Sequence, residues 1–185
     1  MYIPSDDTFL LAECIIKFSG GWALDIGVGS GLLLRILEKN FDNVAGSDID
    51  LKALQYSKQR SPGALLVCCD AASAFGNCKF DLIVSNPPYL PCDGDDDGGG
   101  NDDEHGNAPK DQTVNGGRRG METTIHFIKS AVPLLARDGK MLLVISSLAD
   151  SSALDIVFEE NKIHEKMVKK KRLFYETLSV LQLSA

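Results

Sequence analysis

Short apolar runs of strand character alternate with amphipathic stretches of helical spacing along most of this 185-residue chain, and that alternation narrows the fold more than any single motif does. Trp22–Ile26, Asn43–Ser47, Ala64–Cys68, Phe80–Val84 and Lys140–Ile145 read as strands. Leu32–Asn40, Asp50–Arg60 and Met121–Leu135 read as helices between them. Units of about 20 to 30 residues of this kind build parallel βαβ crossovers, so the class is α/β, with a mostly parallel sheet covered on both faces. Ligands of such sheets sit beyond the carboxyl ends of the strands, where the strand order reverses. One more helix is expected near the start, capped by Ser5 with Asp6 and Asp7 in its first turn. The last segment, Ile163 to Leu183, reads as a passage from helix to strand followed by a hairpin.

A chain of this length with 44% apolar residues can bury one core and not two, so residues 1–185 are expected to form a single domain. The net charge of −7 is local. Asp93 to Asn107 carries seven acids and no Lys or Arg, and without it 19 acidic residues face 19 basic ones. A neutral body argues against a broad nucleic-acid-binding face, and residues 92–120 are expected to form an acidic, glycine-rich loop or lid. Cys14, Cys68, Cys69, Cys78 and Cys92 are odd in number and lack metal-type spacing, which points to a reduced chain with no metal site. No basic leader precedes the first apolar stretch and no run is long enough to span a bilayer, so a cytoplasmic location is expected.

The turn after the first strand reads LDIGVGSGLL, Leu24 to Leu33. Gly27, Gly29 and Gly31 allow a tight strand-to-helix turn that a ligand can approach closely. A dinucleotide fingerprint needs glycine where Leu32 stands. Asp25, just before the turn, suits an ammonium better than a pyrophosphate, and S-adenosylmethionine carries an ammonium and a sulfonium and no phosphate. Asp48 ends the second strand, where it can accept from ribose hydroxyls. Asp70 ends the third, within reach of an adenine amino group. Taken singly, each acid reads as a cap or turn residue; together, in successive βα units, they outline an adenosyl site.

The fourth strand ends in NPPY, Asn86 to Tyr89. A turn needs one proline, and does not require an amide and a phenol around a stiff dipeptide. With residue frequencies near 5%, four fixed residues recur about once in 10⁵ positions. At this point the chain resembles the HemK family of class I S-adenosylmethionine-dependent methyltransferases, in PSDDTFLL (Pro4–Leu11), LDIGVGSG, the strand-end acids, NPPY and NGGRRGME (Asn115–Glu122). The resemblance implies a Rossmann-like, seven-stranded, mostly parallel sheet with an antiparallel C-terminal strand. It further implies methylation of the glutamine amide nitrogen in the GGQ loop of a translation release factor. Cofactor positions implied by the motifs are Thr8, Asp25, Gly27, Asp48, Asp70 and Asn86. The catalytic domain is expected to begin almost at the first residue, which is similar to the short archaeal and eukaryotic branch, whose members work with a small zinc-binding activator subunit.

An amide nitrogen is a poor nucleophile because its lone pair is delocalised. Acceptors at the Asn86 side-chain oxygen and the Pro87 carbonyl would hold both its N–H groups, the prolines would stiffen that backbone, and Tyr89 would form a flat wall. Exocyclic amines of adenine or guanine are equally planar, so NPPY alone leaves a nucleic-acid methyltransferase as the alternative. Seven carboxylates nearby argue against it. A non-catalytic module is a third reading, opposed by the intact motif. DGDDDGGGNDDE, Asp93 to Glu104, satisfies an EF-hand expression without flanking helices and is not taken as a calcium site. Lys166 and Lys169 to Arg172 read as a solvated strand edge or turn, Cys68 and Cys69 as core, and His105, His126 and His164 as neither ligands nor bases. The third strand should be a sheet edge, and its apolar Leu65, Leu66 and Val67 invite a partner strand.

Overall fold

The structure, a computed structural model, describes residues 3–89 and 120–185. Its elements in chain order are α1 (Asp6–Ile15), β1 (Gly20–Ile26), α2 (Leu32–Leu37), β2 (Phe41–Asp48), α3 (Leu51–Arg60), β3 (Leu65–Cys68), β4 (Phe80–Ser85), α4 (Glu122–Ala131), β5 (Leu135–Ser146), α5 (Ser152–Glu160), β6 (His164–Arg172) and β7 (Thr177–Ser184). One seven-stranded sheet has the order β3-β2-β1-β4-β5-β7-β6. β1 to β5 are parallel, and β7 runs antiparallel to both β5 and β6. The expected seven-stranded, mostly parallel class I methyltransferase sheet is present.

Alternation along the central strands divides the core in two. Leu24, Ile26, Ile83, Met141 and Leu143 pack on one face with Ile128 of α4 and Leu154 of α5. Ala23, Leu82, Val84, Leu142 and Val144 pack on the other with Leu11 and Ile15 of α1 and Leu34 of α2. Strands buried on both faces carry continuous apolar runs, which is why these segments read as strands. Truncating a fully buried residue such as Leu82 to Ala would cost about 2–5 kcal/mol.

Several expectations are corrected. Ser5 occupies the N-cap position of α1 without a side-chain bond to the helix backbone; its Oγ donates to the Asp7 carboxylate at 3.0 Å. Asp50 does cap α3, accepting from the Lys52 N–H at 2.9 Å. α2 ends at Leu37, and α4 ends at Ala131, where Pro133 belongs to a short 3₁₀ turn. β5 begins at Leu135, because the Asp138-Gly139 pair that suggests a turn is absorbed as an irregularity in its register with β4. No helix occurs within 163–183; helix α5 precedes that segment, which is wholly the β6–β7 hairpin. Cys68 is exposed rather than buried, and Cys69 is half-buried, since β3 is a short edge strand. The basic cluster lies on β6, the other edge, as the strand-edge reading required. The acidic segment 93–107, the 92–120 loop apart from Gly120, and most of NGGRRGME lie outside the described residues. Among the described residues, no helix is long and apolar enough to cross a membrane.

Candidate active site

Strand order reverses between β1 and β4, and the glycine turn, Asp25 and NPPY all fall at the carboxyl ends of these two strands. Gly27, Gly29 and Gly31 have φ of 79°, 47° and 74°, values that L side chains rarely adopt. A Cβ on Gly31 would lie 2.9 Å from Ser57 Oγ, so this glycine lets α3 approach the turn. Cβ atoms on Gly27 and Gly29 would meet nothing closer than 3.8 Å, so these two leave room above the turn.

Asp25 lies between Gly46 of β2 and Val84 of β4 and is fully buried, with neither carboxylate oxygen hydrogen-bonded. Burial, and then the charge of Asp48, raise its pKa well above the ordinary carboxylate value. A carboxylate in such a place calls for a cationic ligand. Asp48 behaves differently: its Oδ2 accepts from the Gly29 N–H at 3.0 Å and its Oδ1 from the Asp50 N–H at 2.9 Å, so it braces the turn. Asp70 stands two residues beyond β3, exposed, with both oxygens 2.9 Å from His126 Nε2 of α4. His126 was not anticipated from the sequence. Ala71, next to Asp70, holds φ of 47°, and its carbonyl accepts from buried Ser47 Oγ at 2.6 Å.

Around NPPY the bonds form a directional chain from α1. The buried Asp7 carboxylate accepts from the Thr8 N–H at 2.5 Å, from Thr8 Oγ1 at 3.2 Å and from the Tyr89 hydroxyl at 3.0 Å. A hydroxyl has one hydrogen, and Thr8 gives its own to Asp7; toward Asn86 it can only accept. Asn86 therefore turns its Nδ2 to Thr8 Oγ1, at 3.2 Å, and its Oδ1 is left buried without a partner. Thr8 thus lies beside NPPY, and Asp7, read from the sequence only as a first-turn acid, ties both ends of the motif to α1. Pro87 is buried, and Tyr89 packs against the core face that includes α1. A shallow cleft lined by Lys79, Lys129, Asn161 and Ala185 opens at the opposite end of the sheet and contains none of these residues.

The sheet order and the glycine turn are those of the class I methyltransferase fold, which the solved structures similar to this chain share. Residues 24–87 match the methyltransferase domain family. Several of the proteins similar in sequence are named for methylation of glutamine. A Methanocaldococcus jannaschii protein provisionally named a protein N5-glutamine methyltransferase is 28% identical over 152 residues, 80% of this chain and 73% of that protein. The release factor glutamine methyltransferase of Rhodospirillum rubrum is 34% identical over 107 residues, 48% of this chain; the chain spans 30% of that protein. Among solved structures, the E. cuniculi Mtq2–Trm112 complex, described as responsible for methylation of the eRF1 translation termination factor, superposes with a TM-score of 0.76 at 22% identity, covering 99% of this chain and 97% of that one.

Proposed function

We propose that the chain transfers a methyl group from S-adenosylmethionine to the side-chain amide nitrogen of the GGQ glutamine in a translation release factor, acting in the cytoplasm as a single domain. The observation that carries this reading is the buried, unpartnered Asn86 Oδ1 beside a rigid Pro87-Pro88. A planar primary amide has two N–H groups to place, and Asn86 Oδ1 and the Pro87 carbonyl are the acceptors for them. The names of the relatives support glutamine over a nucleobase.

The residues present fit the cofactor. Asp25 is a buried carboxyl group that lacks a partner, as an ammonium would require, and a Cβ on Gly27 or Gly29 would meet no atom closer than 3.8 Å. Asp25, Thr8, Gly27, Gly29, Gly31, Asp48, Asp70 and Asn86 are the residues proposed to hold it. Bound there, S-adenosylmethionine supplies an electrophilic methyl on a positively charged sulfur. The protein's own part is positioning: Asp7 fixes Thr8, Thr8 fixes the Asn86 amide, and Asn86 Oδ1 with the Pro87 carbonyl turns the lone-pair face of the substrate nitrogen toward the methyl. Tyr89, held by Asp7, walls the planar group. No side chain is assigned as a base, since the proton is lost readily once the nitrogen has become cationic.

The outer edge of β3 is proposed as the seat of a small zinc-binding activator subunit in a one-to-one heterodimer. Leu65 is exposed there; Leu66 and Val67 are half-buried against the two core faces, so the main-chain edge and Leu65 would carry most of the docking. The test of the function is incubation with methyl-labelled S-adenosylmethionine and either a release factor or nucleic acid, followed by mass mapping. Label on the GGQ glutamine is expected; label on a base and none on protein overturns the reading.

A further inference from the structure

Phe174 and Tyr175 are 91% and 85% exposed and form the tip of the β6–β7 hairpin, with ring centroids 4.7 Å apart in an edge-to-face arrangement. The tip projects at the same end of the sheet as NPPY. Leu178 of β7 lies opposite Ser146, the last residue of β5, and β5 runs parallel to β4, which leads into Asn86. At about 4.8 Å per strand, the hairpin stands roughly 10–15 Å across the sheet from Asn86. α1 bridges that gap with two consecutive residues: Asp6 pairs with Lys171 of β6 at 2.8 Å, and Asp7 accepts from Tyr89 at 3.0 Å.

The tip is held in place. The Leu173 N–H donates to the Glu176 carbonyl at 2.8 Å, Ser146 Oγ donates to the Glu176 carboxylate, and Ser147 exchanges bonds with Thr177 at 2.9 and 3.0 Å. Two large rings fixed in solvent gain nothing for the isolated chain. Leu148, two residues beyond β5 at this rim, and Ile3, three residues before α1, whose first turn meets Lys171 and Tyr89, are also exposed.

We infer that the Phe174-Tyr175 tip, with Ile3 and Leu148, is the docking platform for the folded body of the protein that presents the reactive glutamine. This rests on the glutamine reading above. A side chain that enters from the carboxyl end of the sheet brings the rest of its own protein over this rim, and exposed aromatics on a rigid mount are what such a contact uses as anchors. Protein is favoured over nucleic acid by three features. Lys169 and Lys171 are already paired with Glu13 and Asp6; the two rings cross at 78° instead of offering parallel shelves for bases; and Ile3 and Leu148 have no flat face for stacking. Lys170 and Arg172 remain exposed beside the tip, so the partner surface is an apolar patch edged by carboxylates.

The test compares the full chain, co-expressed with the small subunit, with its Phe174→Ser/Tyr175→Ser variant, using an intact release factor and a short GGQ peptide. KM for the intact protein should rise tenfold or more, while kcat and KM for the peptide stay as in the parent and Tm is unchanged. Tyr175→Phe alone should keep KM near the parent value. Equal kinetics on the intact protein overturns the proposal, and so does an equal loss on both substrates, which would place the rings in support of the site. Reduced RNA binding with unaltered protein kinetics assigns the tip to nucleic acid and overturns it too. If the parent methylates neither substrate, the glutamine reading falls and this proposal with it.

Discussion

Asp25→Asn separates two demands on one carboxylate. In the free chain the group is buried with no hydrogen-bond partner, and burial raises its pKa well above 3.8, with Asp48 adding to the effect. A folded-state pKa above the unfolded one means that the native state holds the proton more tightly. The group is then neutral to stability below about pH 3.8, and increasingly destabilising as the pH rises from there toward the folded pKa. An unpartnered buried polar group costs about 1–3 kcal/mol, and more when charged. Asn keeps the shape and drops the charge. In a domain of this size 1 kcal/mol moves Tm by about 2–4 °C, so without cofactor the variant should melt at least about 2–4 °C higher at pH 8, with a smaller gain at pH 5. Cofactor affinity should move the other way. Losing one member of a buried charge pair costs about 2–5 kcal/mol, or about 30- to 5000-fold in Kd. Scanning calorimetry at the two pH values and titration with S-adenosylhomocysteine measure both. A lower Tm at pH 8 would refute the orphaned-charge argument, and an unchanged Kd would remove Asp25 from the ammonium site.

Three further expectations concern the same end of the sheet and the β3 edge. The chain should bind S-adenosylmethionine and S-adenosylhomocysteine and show no affinity for NAD, since the turn lacks dinucleotide spacing and Asp25 opposes a phosphate; saturable NAD binding by calorimetry would contradict this. Asn86→Ala should lower kcat by about 10² or more, and Thr8→Val, which cannot orient the amide, should follow it while Thr8→Ser retains activity; near-parent turnover in the first two would reduce NPPY to a turn. A charge introduced at Leu65 should cost soluble yield and Tm with the small subunit present and abolish co-purification; an intact complex would show that the edge is covered in another way.

The parallel strands are legible in the sequence because each is buried on both faces and spells an uninterrupted apolar run. β6 is not, because an edge strand needs only one apolar side and blunts the other with Lys, so HEKMVKKKR carries the composition of a surface helix. α5 has the periodicity of Leu154, Val157 and Phe158, but over barely two turns and behind a polar stretch, too little to stand out. At β5 the Asp138-Gly139 signal is sound local chemistry that pairing with β4 overrides. Only Leu65 of the β3 apolar trio faces solvent strongly, since alternation sends Leu66 and Val67 toward opposite core faces.

The site divides along the same line between local and distant information. The motif positions of the glycines and strand-end acids are readable directly, but the contacts that orient the site residues are long-range: Asp70 with His126 spans 56 residues, Thr8 with Asn86 spans 78 and Asp7 with Tyr89 spans 82. Asp7 also had a sufficient local explanation, as an acid in the first turn of a helix, which hid its second use. Yet its chemistry dictates everything downstream. Thr8 Oγ1 donates to the Asp7 carboxyl group and accepts from Asn86 Nδ2, which leaves Asn86 Oδ1 as the end of the amide without a partner. The polarity of the proposed reaction site is therefore set from α1, and the same turn, through Asp6 and Lys171, ties down the hairpin whose aromatic tip lies at the same end of the sheet.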